Sequence, residues 1–172
     1  MKRRDLFKAA AMTATGVALG SLSDINTTFA KEVTKMTKEQ FSTVFPMGAK
    51  NDAYAKYFVG QSYLNMLSLD QVVIGNVTFE PGCRNNWHIH HADKGGGQIL
   101  LVTGGRGYYQ EWGKPARELH AGDVVNIPAG VKHWHGAAPT SWFAHLAIEV
   151  PGENTKSEWY EPVDAEEYNK LK

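Results

Sequence analysis

The sequence predicts an all-β domain closed into a roll or barrel, with short helices at its periphery. Two observations carry this expectation. From about Val59 the chain breaks into short runs of β-branched and aromatic residues, with glycine or proline between most of them. Histidines recur two residues apart, the repeat of a strand whose alternate side chains share a face. Nine short strands in one domain are expected to close on themselves, because closure leaves few edges unprotected.

Taken in chain order, residues 1–30 have the layout of an export signal: a basic start, a weakly apolar middle and the small-x-small ending Thr28-Phe29-Ala30. Arg3-Arg4, followed by Asp5-Leu6-Phe7-Lys8, resembles the twin-arginine motif with Leu and Phe reversed. A general secretory signal or an amphipathic anchor helix is the alternative. The apolar run is broken by Gly16 and Gly20 and falls short of the roughly twenty residues that span a bilayer. The expected product is periplasmic or otherwise extracytoplasmic, without stable membrane insertion once the signal is removed. Residues 31–58 read as an N-terminal arm with a short helix near Thr37 to Val44, and residues 59–172 as the barrel with its C-terminal tail.

Within that last span the candidate strands are YFVGQSYLNMLSL, VVIGNVTFE, NNWHIHH, GQILLVTGG, RGYYQEWG, PARELHA, DVVNIPA, KHWHGAA and WFAHLAIEV. Turn signals separate them at Pro81-Gly82, Gly95 to Gly97, Gly104-Gly105, Gly113, Ala121-Gly122, Pro128 to Gly130 and Pro139. The interior should be filled by Val77, Phe79, Leu100, Val102, Val125, Ile127, Trp134, Leu146 and Ile148. The tail from Lys156 should end in a short helix, with Trp159 and Tyr160 against the barrel wall.

Composition narrows the functional classes. The 172 residues carry 18 basic and 18 acidic side chains, so the charge balance offers no footprint for nucleic acid or an anionic membrane. One cysteine, Cys83, rules out an internal disulfide and a cysteine-based zinc site. No repeat, heptad pattern or low-complexity tract suggests a scaffold.

The histidines are the chemical feature. Strand alternation turns His88 and His90 to one face and His91 to the other, His133 and His135 repeat the relation, and His145 sits on a third strand. Two His-x-His pairs in one small β domain point to a shared cation, since imidazole nitrogens at strand spacing can converge at about 2.0–2.2 Å from one ion. His91 and His120 are expected at the surface, and Thr78 and Glu149 are candidate polar groups of the pocket.

The chain resembles the cupin superfamily. Gly82, His88, His90 and Gly105 match its first motif, and Gly122, Pro128, Gly130 and His133 match its second without a gap. Where the first motif has an acid, this chain has Gln98, and seven residues separate it from His90 instead of the usual three or four. The segment ADKGGG must therefore loop out. The resemblance implies a cupin-type double-stranded β-helix, a jelly-roll barrel, with His88, His90, Gln98 and His133 as metal ligands. The runs VTFEPG, ELHAGDVVNIPAGVKHWHGAAPT and HLAIE look most like small bacterial manganese cupins, some of them hydroxynitrile lyases and some relatives of cupins found beside carboxymuconolactone decarboxylase-like domains.

That likeness implies a divalent cation, Mn2+ first, with Fe2+, Zn2+ and Ni2+ as alternatives, and a homodimer. It places His135 and His145 near the substrate as catalytic groups. A glutamine ligand brings no negative charge, so a cation held by three imidazoles and an amide keeps its full charge and polarises a bound oxygen strongly. The expected activity is Lewis-acid chemistry on a small oxygenated organic substrate, of hydroxynitrile lyase type. A dioxygenase or isomerase, a non-catalytic binding cupin and a metal-free structural cupin are the other readings.

Overall fold

The computed structural model describes residues 36–172; the export signal expected over residues 1–30 and the start of the arm lie outside the described residues. The strands are β1 (Ala49–Lys50), β2 (Phe58–Val59), β3 (Ser62–Ser68), β4 (Ile74–Phe79), β5 (Arg84–Asn85), β6 (His88–His91), β7 (Lys94–Gly95) and β8 (Gln98–Glu111). They continue with β9 (Arg117–His120), β10 (Val124–Ile127), β11 (His133–Ala137), β12 (Phe143–Glu149), β13 (Gly152–Glu153) and β14 (Lys156–Trp159). A 3-10 helix covers Asp52–Tyr57 and a short α-helix, α1, covers Ala165–Asn169. The short helix expected near Thr37 to Val44 is not formed. That segment makes one turn, in which Gln40 and Phe41 donate to the Thr37 carbonyl, and then runs irregularly into a bend at Val44. Eight residues with no buried apolar stripe lack the packing that rewards so short a helix.

All strand pairs are antiparallel, and the order β1-β3-β4-β12-β8-β11-β5-β2 curls into a jelly-roll barrel. Within the span read as an arm, β1 pairs with β3 and β2 with β5. The β8 strand is the shared spine. Its first half pairs with β12 and β10, and its second half with β11 and β9.

The turn expected at Gly104-Gly105 is therefore a bend inside one long strand. Against β12 the register skips between Ala144 and His145, leaving Thr103 as the extra residue of a bulge. Inward-facing residues change parity there, from Gln98, Leu100 and Val102 before it to Gly107 and Tyr109 after it. Gly105 makes the bend possible. Its φ is +71°, and a Cβ on it would lie 1.9 Å from the Trp142 carbonyl oxygen.

Inside the barrel, Val77, Phe79, Leu100, Val102, Leu119, Val125, Ile127 and Phe143 form the main core. Three residues expected there lie elsewhere. Trp134 faces outward because its neighbours His133 and His135 face in, and it packs with Trp87, Tyr108, Val163 and Tyr168 in a second cluster under the tail. Leu146 and Ile148 are half-buried on the outer face, since β12 turns Phe143, His145, Ala147 and Glu149 inward.

Candidate metal centre and its cavity

Strand pairing builds the histidine cluster. His88 and His133 are cross-strand partners on β6 and β11, and His90 follows His88 on the same face. All three are buried, and one ring nitrogen from each lies within 4.8 Å of the others. Cation ligands at about 2.1 Å stand roughly 3–4 Å apart, so little closure is needed.

Hydrogen bonds decide which nitrogens face inward. His88 Nδ1 donates to the Asn86 carbonyl at 2.9 Å and His133 Nδ1 to the Val131 carbonyl at 2.9 Å. His90 Nδ1 lies 3.2 Å from Glu149 Oε2 and 3.2 Å from Ser157 Oγ. With its Nδ1 proton held in this way, each ring keeps an unprotonated Nε2. The Nε2 atoms of His90 and His133 are buried without any hydrogen-bond partner. Buried polar atoms are seldom left so, and an electron-pair acceptor is the partner this arrangement fits.

Gln98 opens β8 and is buried. Its Nε2 donates to Glu149 Oε1 at 2.7 Å, and its Oε1 is buried without a donor. The ADKGGG segment loops out as a two-stranded ribbon of β7 and β13, and Gly96 and Gly97 take φ of +71° and +90° to return the chain to Gln98.

Burial sets the charge state. It pushes His88 and His135 well below the ordinary imidazole value, with neighbouring imidazoles adding to the effect. It lowers both His133 and His145 to about 4. All four are neutral at pH 7. For Glu149, burial acts to raise the carboxyl, but the bonds from His90 and Gln98 outweigh it and leave the group below its usual range.

His135 lines the cavity and His145 stands behind it, with His145 Nε2 3.1 Å from His135 Nδ1. Asn85 Oδ1 accepts the His135 backbone N–H at 2.9 Å, so the Asn85 amide presents its NH2 to the ring, 3.1 Å from Nε2. His135 then carries its proton on Nδ1 and shares it with His145. His145 itself does not reach the cavity wall.

The cavity is about 480 Å³. It is lined by the polar His88, His90, Gln98, His135 and Glu149 and by the apolar Phe58, Leu64, Met66, Val77 and Ala147. Thr78, expected in the pocket, is buried on the outer face of β4, the side on which Asn76 donates to the Pro46 carbonyl. His91 and His120 lie at the surface as expected, paired with Glu158 and Glu118.

Sequence reasoning missed Asn85 and Trp159. Trp159 lies opposite His88 and Ser157 opposite His90 where β14 pairs with β6, and the indole stacks on the His88 ring at 4.5 Å and on Tyr57 at 4.5 Å. The alternation Ser157-x-Trp159, matching His88-x-His90, was the available sign.

Comparison with known proteins agrees with this architecture. Residues 75–146 match the cupin domain family. An (R)-mandelonitrile lyase from Granulicella tundricola is 46% identical over 95 residues, which make up 55% of this chain and 70% of that protein. A cupin-like protein from Thermotoga maritima is 41% identical, with a TM-score of 0.65 over 76% of this chain and 97% of its own. A cupin 2 conserved barrel domain protein from Rhodopseudomonas palustris shares the fold at 15% identity, with a TM-score of 0.50 over 66% of this chain and 74% of its own. Barrel, motif glycines, three-histidine cluster and relatives lead to one assignment: the chain belongs to the cupin superfamily and resembles its hydroxynitrile lyases.

Proposed function

We propose that the protein is a divalent-cation-dependent enzyme in which His88, His90, His133 and Gln98 hold the ion, Mn2+ in preference to Fe2+, Zn2+ or Ni2+. The observation that carries this reading is the set of three buried imidazoles whose Nδ1 atoms are occupied and which bring one ring nitrogen each to within 4.8 Å of the others. A cation bound there supplies Lewis acidity and an undiminished positive charge to a hydroxyl or carbonyl oxygen.

The reaction is cleavage of a small cyanohydrin into a carbonyl compound and hydrogen cyanide, in line with the activity named for the mandelonitrile lyase relative. The chain's own residues then have three tasks. Phe58, Leu64, Met66 and Val77 take the apolar part of the substrate and exclude water. His135, neutral and lining the cavity, accepts the hydroxyl proton on Nε2, the nitrogen that the Asn85 NH2 otherwise caps. His145 shares the Nδ1 proton of His135, so the positive charge spreads over two rings until the Nε2 proton passes to the leaving cyanide as hydrogen cyanide and both rings are neutral again. In this reading the protein is exported already folded with its ion and works as a homodimer.

Protein loaded with Mn2+ is expected to hold one ion per chain and to release benzaldehyde from mandelonitrile, with chelation abolishing release and Mn2+ restoring it. His88→Ala should lose both ion and release. His135→Asn should keep the ion and lose release. A parent protein that takes up no divalent ion, or whose release is indifferent to chelation, overturns the reading.

A further inference from the structure

Gln98 and Glu149 stand directly opposite each other on β8 and β12, although 51 residues separate them. Each oxygen of Glu149 has its own partner: Oε1 takes the Gln98 Nε2 proton at 2.7 Å, and Oε2 faces His90 Nδ1 at 3.2 Å. We infer that Glu149 is a positioning residue for the metal centre, turning the amide oxygen of Gln98 and the Nε2 lone pair of His90 toward the site. The inference rests on the ligand set proposed above and goes beyond it by assigning what orients two of the four ligands.

An amide side chain is ambiguous on its own, since it offers a donor at one corner and an acceptor at the other. A carboxylate removes the ambiguity because it only accepts, so the corner of Gln98 facing Glu149 is the NH2. The oxygen must then point elsewhere, and it is buried with no donor. The same rule acts on His90, whose Nδ1 proton faces two acceptors, Glu149 Oε2 and Ser157 Oγ, each at 3.2 Å, and whose Nε2 is likewise buried and unpartnered. Glu149 stays outside the ligand cluster, which comprises His88, His90 and His133. The negative charge that an acidic ligand would place on the cation is thereby kept one hydrogen bond away.

The test is Mn2+ binding to the full-length protein after chelation and reloading, with free Mn2+ read by its paramagnetic resonance signal at fixed pH. Glu149→Gln has the same shape but one acceptor oxygen, so either Gln98 faces an NH2 and turns its own NH2 to the ion, or His90 loses the carboxylate and is held by Ser157 Oγ alone. Affinity should fall about 10–100-fold, the usual cost of losing a group that orients a ligand. Glu149→Ala, with no acceptor, should lose at least as much and covers the case of a Glu149→Gln protein that does not fold. The exchange Gln98→Glu with Glu149→Gln reverses the 98–149 bond and keeps the other: the amide at 149 donates to the carboxylate at 98 and accepts from His90. With an anionic oxygen now on the ion, it should bind Mn2+ no more than about threefold more weakly than the parent.

Circular dichroism of the metal-free forms confirms that each compared protein is folded. Binding by Glu149→Gln within about twofold of the parent overturns the inference, as does a double exchange as weak as the single change. A parent that binds no Mn2+ overturns instead the ligand set beneath it.

Discussion

Acidification of the metal-free protein should cost it much of its stability well above the range where carboxylates titrate. Burial holds His133 and His145 at about 4 in the folded chain, against 6.5 when unfolded. Between those values the unfolded chain binds protons that the folded chain refuses, so stability is full above pH 6.5 and falls as pH drops toward 4. The gap, at about 1.4 kcal/mol per pH unit, is about 3 kcal/mol for each imidazole. Together they remove about 6 kcal/mol, comparable with the whole stability of many domains. His88 and His135 are shifted in the same direction and steepen the loss. Glu149 acts lower, its contribution being lost only below the ordinary carboxylate value. Urea unfolding in chelator between pH 7.5 and 4.5 isolates the imidazoles. With a slope of about 2 kcal/mol per molar, the midpoint should fall by roughly 2–3 M. His145→Leu should flatten the dependence by about 1.4 kcal/mol per pH unit. A midpoint constant across that range would refute the reasoning.

Other changes have definite expected outcomes. Gly105→Ala forces a side chain into a left-handed position against the Trp142 carbonyl and should destabilise by at least about 2 kcal/mol, read as a thermal midpoint many degrees lower. Trp159→Ala removes the ring stacked on His88 and should cost about 2 kcal/mol in urea unfolding while raising KM more than it lowers kcat. Lys132 lies 3.7 Å from the Trp112 ring centroid and 4.7 Å from that of Tyr160, and its ammonium also pairs with Glu161 at 2.6 Å. Lys132→Ala should therefore cost about 1–2 kcal/mol, and Lys132→Arg much less, in the same urea assay.

The parts of the fold that follow from alternation were legible in the sequence. His88, His90 and His133 share the interior because each sits two residues from, or directly across from, another inward position. The core residues of β4 and β10 follow the same rule. Alternation fails where parity breaks, and the bulge at Thr103 leaves no mark in the string GQILLVTGGRGYYQEWG, whose two glycines read as a turn. Trp134 was misplaced because its size suggests the core, although its histidine neighbours already claim the inner face. Trp159 and the Gln98–Glu149 contact depend on which strands meet and in what register, and a single sequence does not carry that information.

The continuity of β8 has a consequence for how the molecule comes apart. Because this one 14-residue ribbon joins both walls, its withdrawal leaves β12 paired with β4 alone and β11 with only single-residue bridges to β5 and β6. Hydrogen exchange at the amides of β11 and β12 should then follow a common global opening, with no half-open species in between. Ion release and collapse of the apolar interior would be two readings of that same event.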